Sequence, residues 1–141
     1  MILLDTNVVS ELMKSAPEPA VMLWIDAIPV AAVFVSAITQ AEILYGIALL
    51  PPGKRREGLT QAAHIAFETY FRGRILPFDS EAAEAFAALA ASRRQSGRPI
   101  AQADAQIAAI ARSRGAALST RNMPDFEGCG VDIVNPWSAK A

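Results

Sequence analysis

The 141-residue sequence holds one cysteine and one histidine. A lone thiol, Cys129, excludes an internal disulfide and fits a reducing compartment, where it is expected to act as a small, semi-buried hydrophobe in a loop. A lone imidazole, His64, cannot build a His/Cys zinc centre and reads as an ordinary surface or interface residue. Long hydrophobic runs are missing as well. The richest, Val30 to Ile38, falls well short of the roughly eighteen unbroken apolar residues of a membrane helix. Nothing basic precedes the short opening apolar run, so no signal peptide is expected and the protein is expected to be cytoplasmic. Charge of one sign is also lacking: 13 Lys and Arg against 14 Asp and Glu leave a net charge of -1. Without a global basic field, any contact with nucleic acid must rest on local patches. There is no internal repeat and no low-complexity linker.

Apolar residues, by contrast, are plentiful. They make up 52% of the chain, and mean hydropathy is +0.26, high for one domain of this length. One core spanning residues 1–141 is expected, with apolar surface left over for a partner.

The first seven residues organise the rest. Met1-Ile2-Leu3-Leu4 is an apolar run that stops at Asp5-Thr6-Asn7, which predicts a short buried strand whose carboxyl end presents an acid. A helix through Asn7–Lys14 follows, then helical spacing over Glu18–Ile28, closed by Pro29. Ala31–Ser36 is a second strand, apolar throughout. A helix from Ser36 or Thr39 to Leu50 ends at Pro51-Pro52-Gly53, and a long helix is predicted over Lys54–Arg72. Arg74–Phe78 is a third strand; Asp79 or Ser80 caps a helix that Gly97 stops, and Ile100–Arg114 is another that Gly115 stops. Ala116–Thr120 and Val131–Val134 complete the strands. Short apolar strands alternating with helices predict an α/β fold with a parallel sheet covered on both faces.

The acids then fall in a pattern. On a helical wheel of roughly 100° per residue, Ile38, Tyr45 and Leu49 form a stripe that contains Glu42, and Ile100, Ile107, Ala108 and Ala111 form one that contains Asp104. Neither acid has a base three or four positions away. A buried unpaired carboxylate costs several kcal/mol, so such groups are neutralised, paired or bound to a metal. Ordinary roles compete. Thr39-x-x-Glu42 fits a capping box, Asp5 fits a helix N-cap, and Asp125 fits a turn after proline. Asp104 has no comparable local explanation. Several carboxylates without imidazole or thiolate suit Mg²⁺ or Mn²⁺, and the chemistry natural to such a site is phosphodiester hydrolysis. Thr120 and Asn122, after the fourth strand, can hydrogen-bond a carboxylate, a metal-bound water or a phosphate.

The opening Ile-Leu-Leu-Asp5-Thr6-Asn7, Glu42 in Ser-Ala-Ile-Thr-Gln-Ala-Glu, Asp104 in Ala-Gln-Ala-Asp-Ala-Gln-Ile, and Thr120-Arg121-Asn122-Met-Pro-Asp125-Phe together resemble the PIN-domain ribonucleases of VapC-type toxins. Gly-Arg-Ile-Leu-Pro-Phe-Asp and the final Asn135-Pro136-Trp137 are similar to the FitB-like branch. The resemblance implies a three-layer α/β/α domain with a five-stranded parallel sheet. It also implies Mg²⁺- or Mn²⁺-dependent RNA cleavage, a homodimer, and a cognate antitoxin of a type II toxin-antitoxin system that covers an apolar groove. Asp5, Glu42 and Asp104 are the expected metal ligands, Asp125 a fourth catalytic acid, and Thr6, Thr120 and Asn122 positioners behind them. The chain departs from the branch at Asn122, where members can carry an acid, which hands the fourth acidic role to Asp125 or reduces it to a hydrogen bond. Arg112 and Arg121 are the foremost RNA-binding candidates; Lys54, Arg55, Arg56, Arg93, Arg94 and Arg98 are further basic ones.

Two rivals stand beside this reading. One is a catalytically inactive PIN fold that only binds RNA or a partner. The other is a phosphoacceptor receiver module using Asp79, disfavoured because its late strand ends in Ser119-Thr120-Arg121 instead of a lysine.

Overall fold

In the computed structural model, which describes residues 1–138, β1 (Ile2–Leu4) lies at the centre of a five-stranded sheet. On one side come β2 (Val33–Ser36) and then β3 (Ile75–Leu76); on the other come β4 (Ala117–Ser119) and then β5 (Ile133–Val134). Every pairing is parallel, with Leu4 registered against Val35 on one side and Ser119 on the other. The chain builds outward from β1 to β3, then returns across it to β4, so the strand order reverses between β1 and β4. Reversal points of this kind leave a crevice at the carboxyl ends of the strands.

Strand alternation divides the core. Leu3 and Phe34 join a cluster with Leu89, Ile107, Ile110, Leu118 and Phe126, while Leu4, Val33 and Val35 join Val8, Val9, Ile43, Phe67 and Phe71 on the opposite face. The second face is covered by α1 (Thr6–Leu12), α2 (Pro19–Asp26), α3 (Ala37–Ala48) and α4 (Lys54–Ile65). The first is covered by α5 (Ser80–Gln95), α6 (Gln102–Ser113) and α7 (Met123–Phe126). Helix ends follow their local chemistry: Asp79 Oδ1 accepts from Ala82 N at 2.9 Å, and Gly97 (φ 76°) and Gly115 (φ 63°) take the left-handed conformation just past α5 and α6.

Several expectations change, among them the second strand, which starts at Val33 after a 3-10 turn over Val30–Ala32, and the third, which is only Ile75–Leu76. The long helix predicted over 54–72 is regular only to Ile65 and continues as a π-helical turn over Ala66–Tyr70, closed by Phe71 N donating to Ala66 O at 2.8 Å. The α7 turn was not expected; four residues are too few for a periodic signal, although Pro124 suits a helix start. Cys129 is fully buried instead of semi-buried, and burial pushes its thiol up. Residues 139–141 of the expected single domain lie outside the described residues. Among the described residues no helix is long and apolar enough to cross a membrane.

Candidate active site

Asp5 ends β1 at the crevice and caps α1, its Oδ1 accepting from Thr6 N at 2.8 Å. The capping role expected of it is therefore real, yet it uses only one oxygen. The other, Oδ2, accepts from the Thr120 hydroxyl at 2.7 Å across the β1–β4 junction. Asp5 is only 5% exposed. Burial raises its pKa, the bonds from Thr120 and Thr6 oppose the rise, and the charges of Glu42 and Asp125 add to it.

Thr120 has no exposure and a filled hydrogen-bond set: besides donating to Asp5, its Oγ1 accepts from Asn122 N at 3.1 Å and Asn7 Nδ2 at 3.5 Å. Asn122 thus enters the site through its backbone.

Glu42 requires a correction. It does not lie on the buried face of α3. The buried residues there are Thr39, Ile43 and Ile47, while Glu42 is exposed, and Tyr45 and Leu49 of its supposed core stripe are 67% and 66% exposed. A wheel shows which residues share a face; α3 is apolar on more than one face, and tertiary packing chose the other. The capping box is not formed either, since Ser36 caps α3 by accepting from Thr39 N at 3.0 Å. Glu42 Oε1 instead accepts from Thr6 Oγ1 at 2.7 Å. With the single Thr6 proton used there, Thr39 Oγ1 donates to Thr6 Oγ1 at 3.0 Å.

Asp104 lies in the first turn of α6, half-buried where Ala105, Ile107 and Ala108 turn inward. Its pKa is pushed up to about 6, first by burial and then by the charges of Asp5, Asp125 and Glu42. No hydrogen bond opposes the rise, in contrast to Asp5. Asp125, exposed on α7, raises the pKa of both Asp5 and Asp104. Acids from four separate elements are therefore near enough for Glu42 and Asp125 to perturb Asp5 and Asp104. Among the described residues no three acidic, histidine or cysteine side chains form a ready grip for one ion as they stand.

The basic candidates separate. Arg121 borders the site, with its backbone N donating to Asn7 Oδ1 at 3.4 Å and its guanidinium 5.0 Å from the Trp137 ring centroid. Arg112 does not: it is eight residues beyond Asp104, about 12 Å along the helix axis, beside Gly115, Gly130 and Asp132. Arg93 is 6% exposed and donates to backbone carbonyls, so it is no solvated RNA contact. Asn7 and Thr39 are site-supporting residues that periodicity could not find, because their partners lie 113 and 33 positions away.

A family model described as PIN domain matches residues 2–123. The chain belongs to the PIN-domain family. This PIN domain is 44% identical over 137 residues to VapC ribonuclease Y4jK of Sinorhizobium fredii, covering 97% of this chain and 98% of the relative. It is 39% identical over 137 residues to Toxin FitB of Neisseria gonorrhoeae, covering 97% and 99%. Among solved structures, one of FitAB bound to an IR36 DNA fragment superposes with a TM-score of 0.92 at 38% identity, covering 100% of this PIN domain and 99% of that chain. The VapC-type and FitB-like resemblance is borne out, as is the five-stranded parallel α/β fold.

Proposed function

We propose that this PIN domain is a divalent-metal-dependent ribonuclease of a toxin-antitoxin pair, hydrolysing RNA phosphodiesters until a cognate antitoxin covers it. The observation that carries the reading is the convergence of Asp5, Glu42, Asp104 and Asp125 on the β1–β4 crevice, where Glu42 and Asp125 disfavour the charged forms of both Asp5 and Asp104. The relatives supply the toxin context: one is named a VapC ribonuclease, and FitB is named a toxin.

The donor set is all oxygen, which suits Mg²⁺ or Mn²⁺ over zinc. Mutual repulsion among the acids is the kind of strain that a bound cation relieves. Asp5, Asp104 and Glu42 are the residues that would hold the metal, with Asp125 as the further acid. When bound, the metal supplies an activated water and offsets charge on the phosphate. Thr120 and Thr6 N fix the Asp5 carboxylate in one orientation, and Thr6 and Thr39 hold Glu42 toward the same crevice. Asp5 enters the reaction with little reorganisation as a result.

A receiver module is set aside by the family match, and its acceptor Asp79 is engaged in capping α5 and pairing with Arg114 at 3.2 Å. The inactive-fold alternative is decided by assay. Purified protein should cleave RNA with Mg²⁺ or Mn²⁺ and lose cleavage with chelator and in Asp5→Asn; activity that survives both ends the metal-nuclease reading.

A further inference from the structure

Arg93 on α5 is buried at 6% exposure, and among the described residues no carboxylate lies within ion-pair reach of it. A guanidinium in that setting is strongly disfavoured unless its donors are satisfied. Here Nε donates to Arg98 O at 2.7 Å, and Nη1 donates to Asp125 O and Glu127 O, both at 2.8 Å, with Cys129 Sγ at 3.7 Å. Arg98, at the far end of the same turn, donates to Pro124 O at 3.1 Å and pairs with Glu127 at 3.2 Å.

Three anchors therefore fix the segment that carries Asp125, one of them the Arg98 bonds to Pro124 O and Glu127. In front, Thr120 Oγ1 accepts from Asn122 N; behind, Arg93 Nη1 donates to the carbonyls at 125 and 127 while its Nε holds Arg98 O. Together they hold the backbone of α7, and with it the place of the Asp125 carboxylate.

We propose that Arg93 is a positioning residue for the acidic site, holding the Asp125 and Glu127 carbonyls so that the Asp125 side chain stays beside Asp5 and Asp104. This rests on the nuclease reading for its effect on activity, and on geometry alone for its effect on the 123–129 segment. The long basic side chain serves the site without touching RNA. Lysine keeps the charge but lacks the planar fork, so it cannot serve both carbonyls and Arg98 O at once.

The test is a double-mutant cycle with Arg93→Met, Arg93→Lys and Asp125→Asn, read as RNA cleavage in saturating Mn²⁺, together with amide hydrogen exchange of the same proteins. Arg93→Met and Asp125→Asn should each lower kcat by about 10- to 100-fold, the range seen when supporting partners of a metal site are lost. The double variant should be no worse than the weaker single within about 2-fold, because both changes remove one function. Arg93→Lys should fall between wild type and Arg93→Met, and it replaces Arg93→Met in the cycle if the latter does not fold. Amides at 123–129 should exchange about 10-fold faster in the Arg93 variants, with β1 and β4 unchanged. Multiplicative losses in the double variant, an unaffected Asp125→Asn, or unchanged exchange at 123–129 would each overturn the proposal. If wild-type protein cleaves no RNA, the nuclease reading falls, and the exchange comparison by itself decides whether Arg93 holds this segment.

Discussion

Thr120 donates its hydroxyl proton to Asp5 across 2.7 Å, tying together residues 115 positions apart at the point where the strand order reverses. Neither side chain needs the other for its own backbone: Asp5 already caps α1 and Thr120 already follows β4. The bond exists because the parallel register sets Leu4 beside Ser119, so the next residue on each strand meets at the crevice. It keeps a buried carboxylate oriented in a place where burial alone would push it toward the neutral form.

Thr120→Val keeps the shape and removes the hydroxyl. Asp5 then loses a charge-assisted bond, and Asn122 N loses its acceptor. The variant should be destabilised by about 1.5–3 kcal/mol in urea denaturation. A loss below about 0.5 kcal/mol would show that the bond carries little of the site's order.

Asp104 makes the metal-free protein pH-sensitive. Its folded pKa of about 6 lies above the ordinary 3.8, so the native state binds the proton more tightly than the unfolded chain. The stability from this group is present in full below pH 4 and is lost as pH rises through 6. Asp104→Asn removes the penalty. Since the group is half-buried and screened, the gain in chelator at pH 7.5 should be about 1–2 kcal/mol, or roughly 3–6 °C in Tm. The two melting temperatures should converge near pH 4. A variant that melts lower than wild type in chelator at pH 7.5 would refute this electrostatic account.

Arg121 and Arg112 should differ in RNA binding. In an Asp104→Asn background, Arg121→Gln should reduce the slope of log affinity against log salt by about 0.7, the value for one phosphate contact on a single strand. Arg112→Gln should leave the slope unchanged, because that residue stands at the far end of α6. Equal effects from both would mean that RNA follows a path other than the β1–β4 crevice.

The exposed stripe of α3, with Leu44 at 46%, Tyr45 at 67% and Leu49 at 66%, suits burial against a second copy of the chain. Wild type should be dimeric in light scattering at tens of micromolar, a concentration at which loss of one sizeable apolar contact matters. Tyr45→Glu with Leu49→Glu should be monomeric and still helical by circular dichroism. A wild-type monomer at that concentration would discard the dimer.

Local chemistry made much of the protein legible. The Ile2–Leu4 run, the Asp5 and Asp79 caps and the Gly97 and Gly115 stops are decided within a few residues of each position, so the strand–helix alternation and the parallel sheet followed from them. Asp104 was legible for the same reason: no base stands three or four positions from it, and Ile107 and Ala108, its neighbours on the wheel, are buried. Glu42 was not. Its helix is apolar on several sides, and only packing against α1 and β2 determined that Thr39, Ile43 and Ile47 turn inward while Tyr45 and Leu49 stay outside.

The sequence by itself determined which residue types end each strand and start each helix, because caps, breakers and short apolar runs act over one turn or one strand. Tertiary structure alone decided which of those residues meet. Thr120 reaches Asp5, Thr6 holds Glu42, Asn7 reaches Thr120, and Arg93 turns inward to grip the α7 segment, because parallel register and helix packing bring together positions that no local periodicity links.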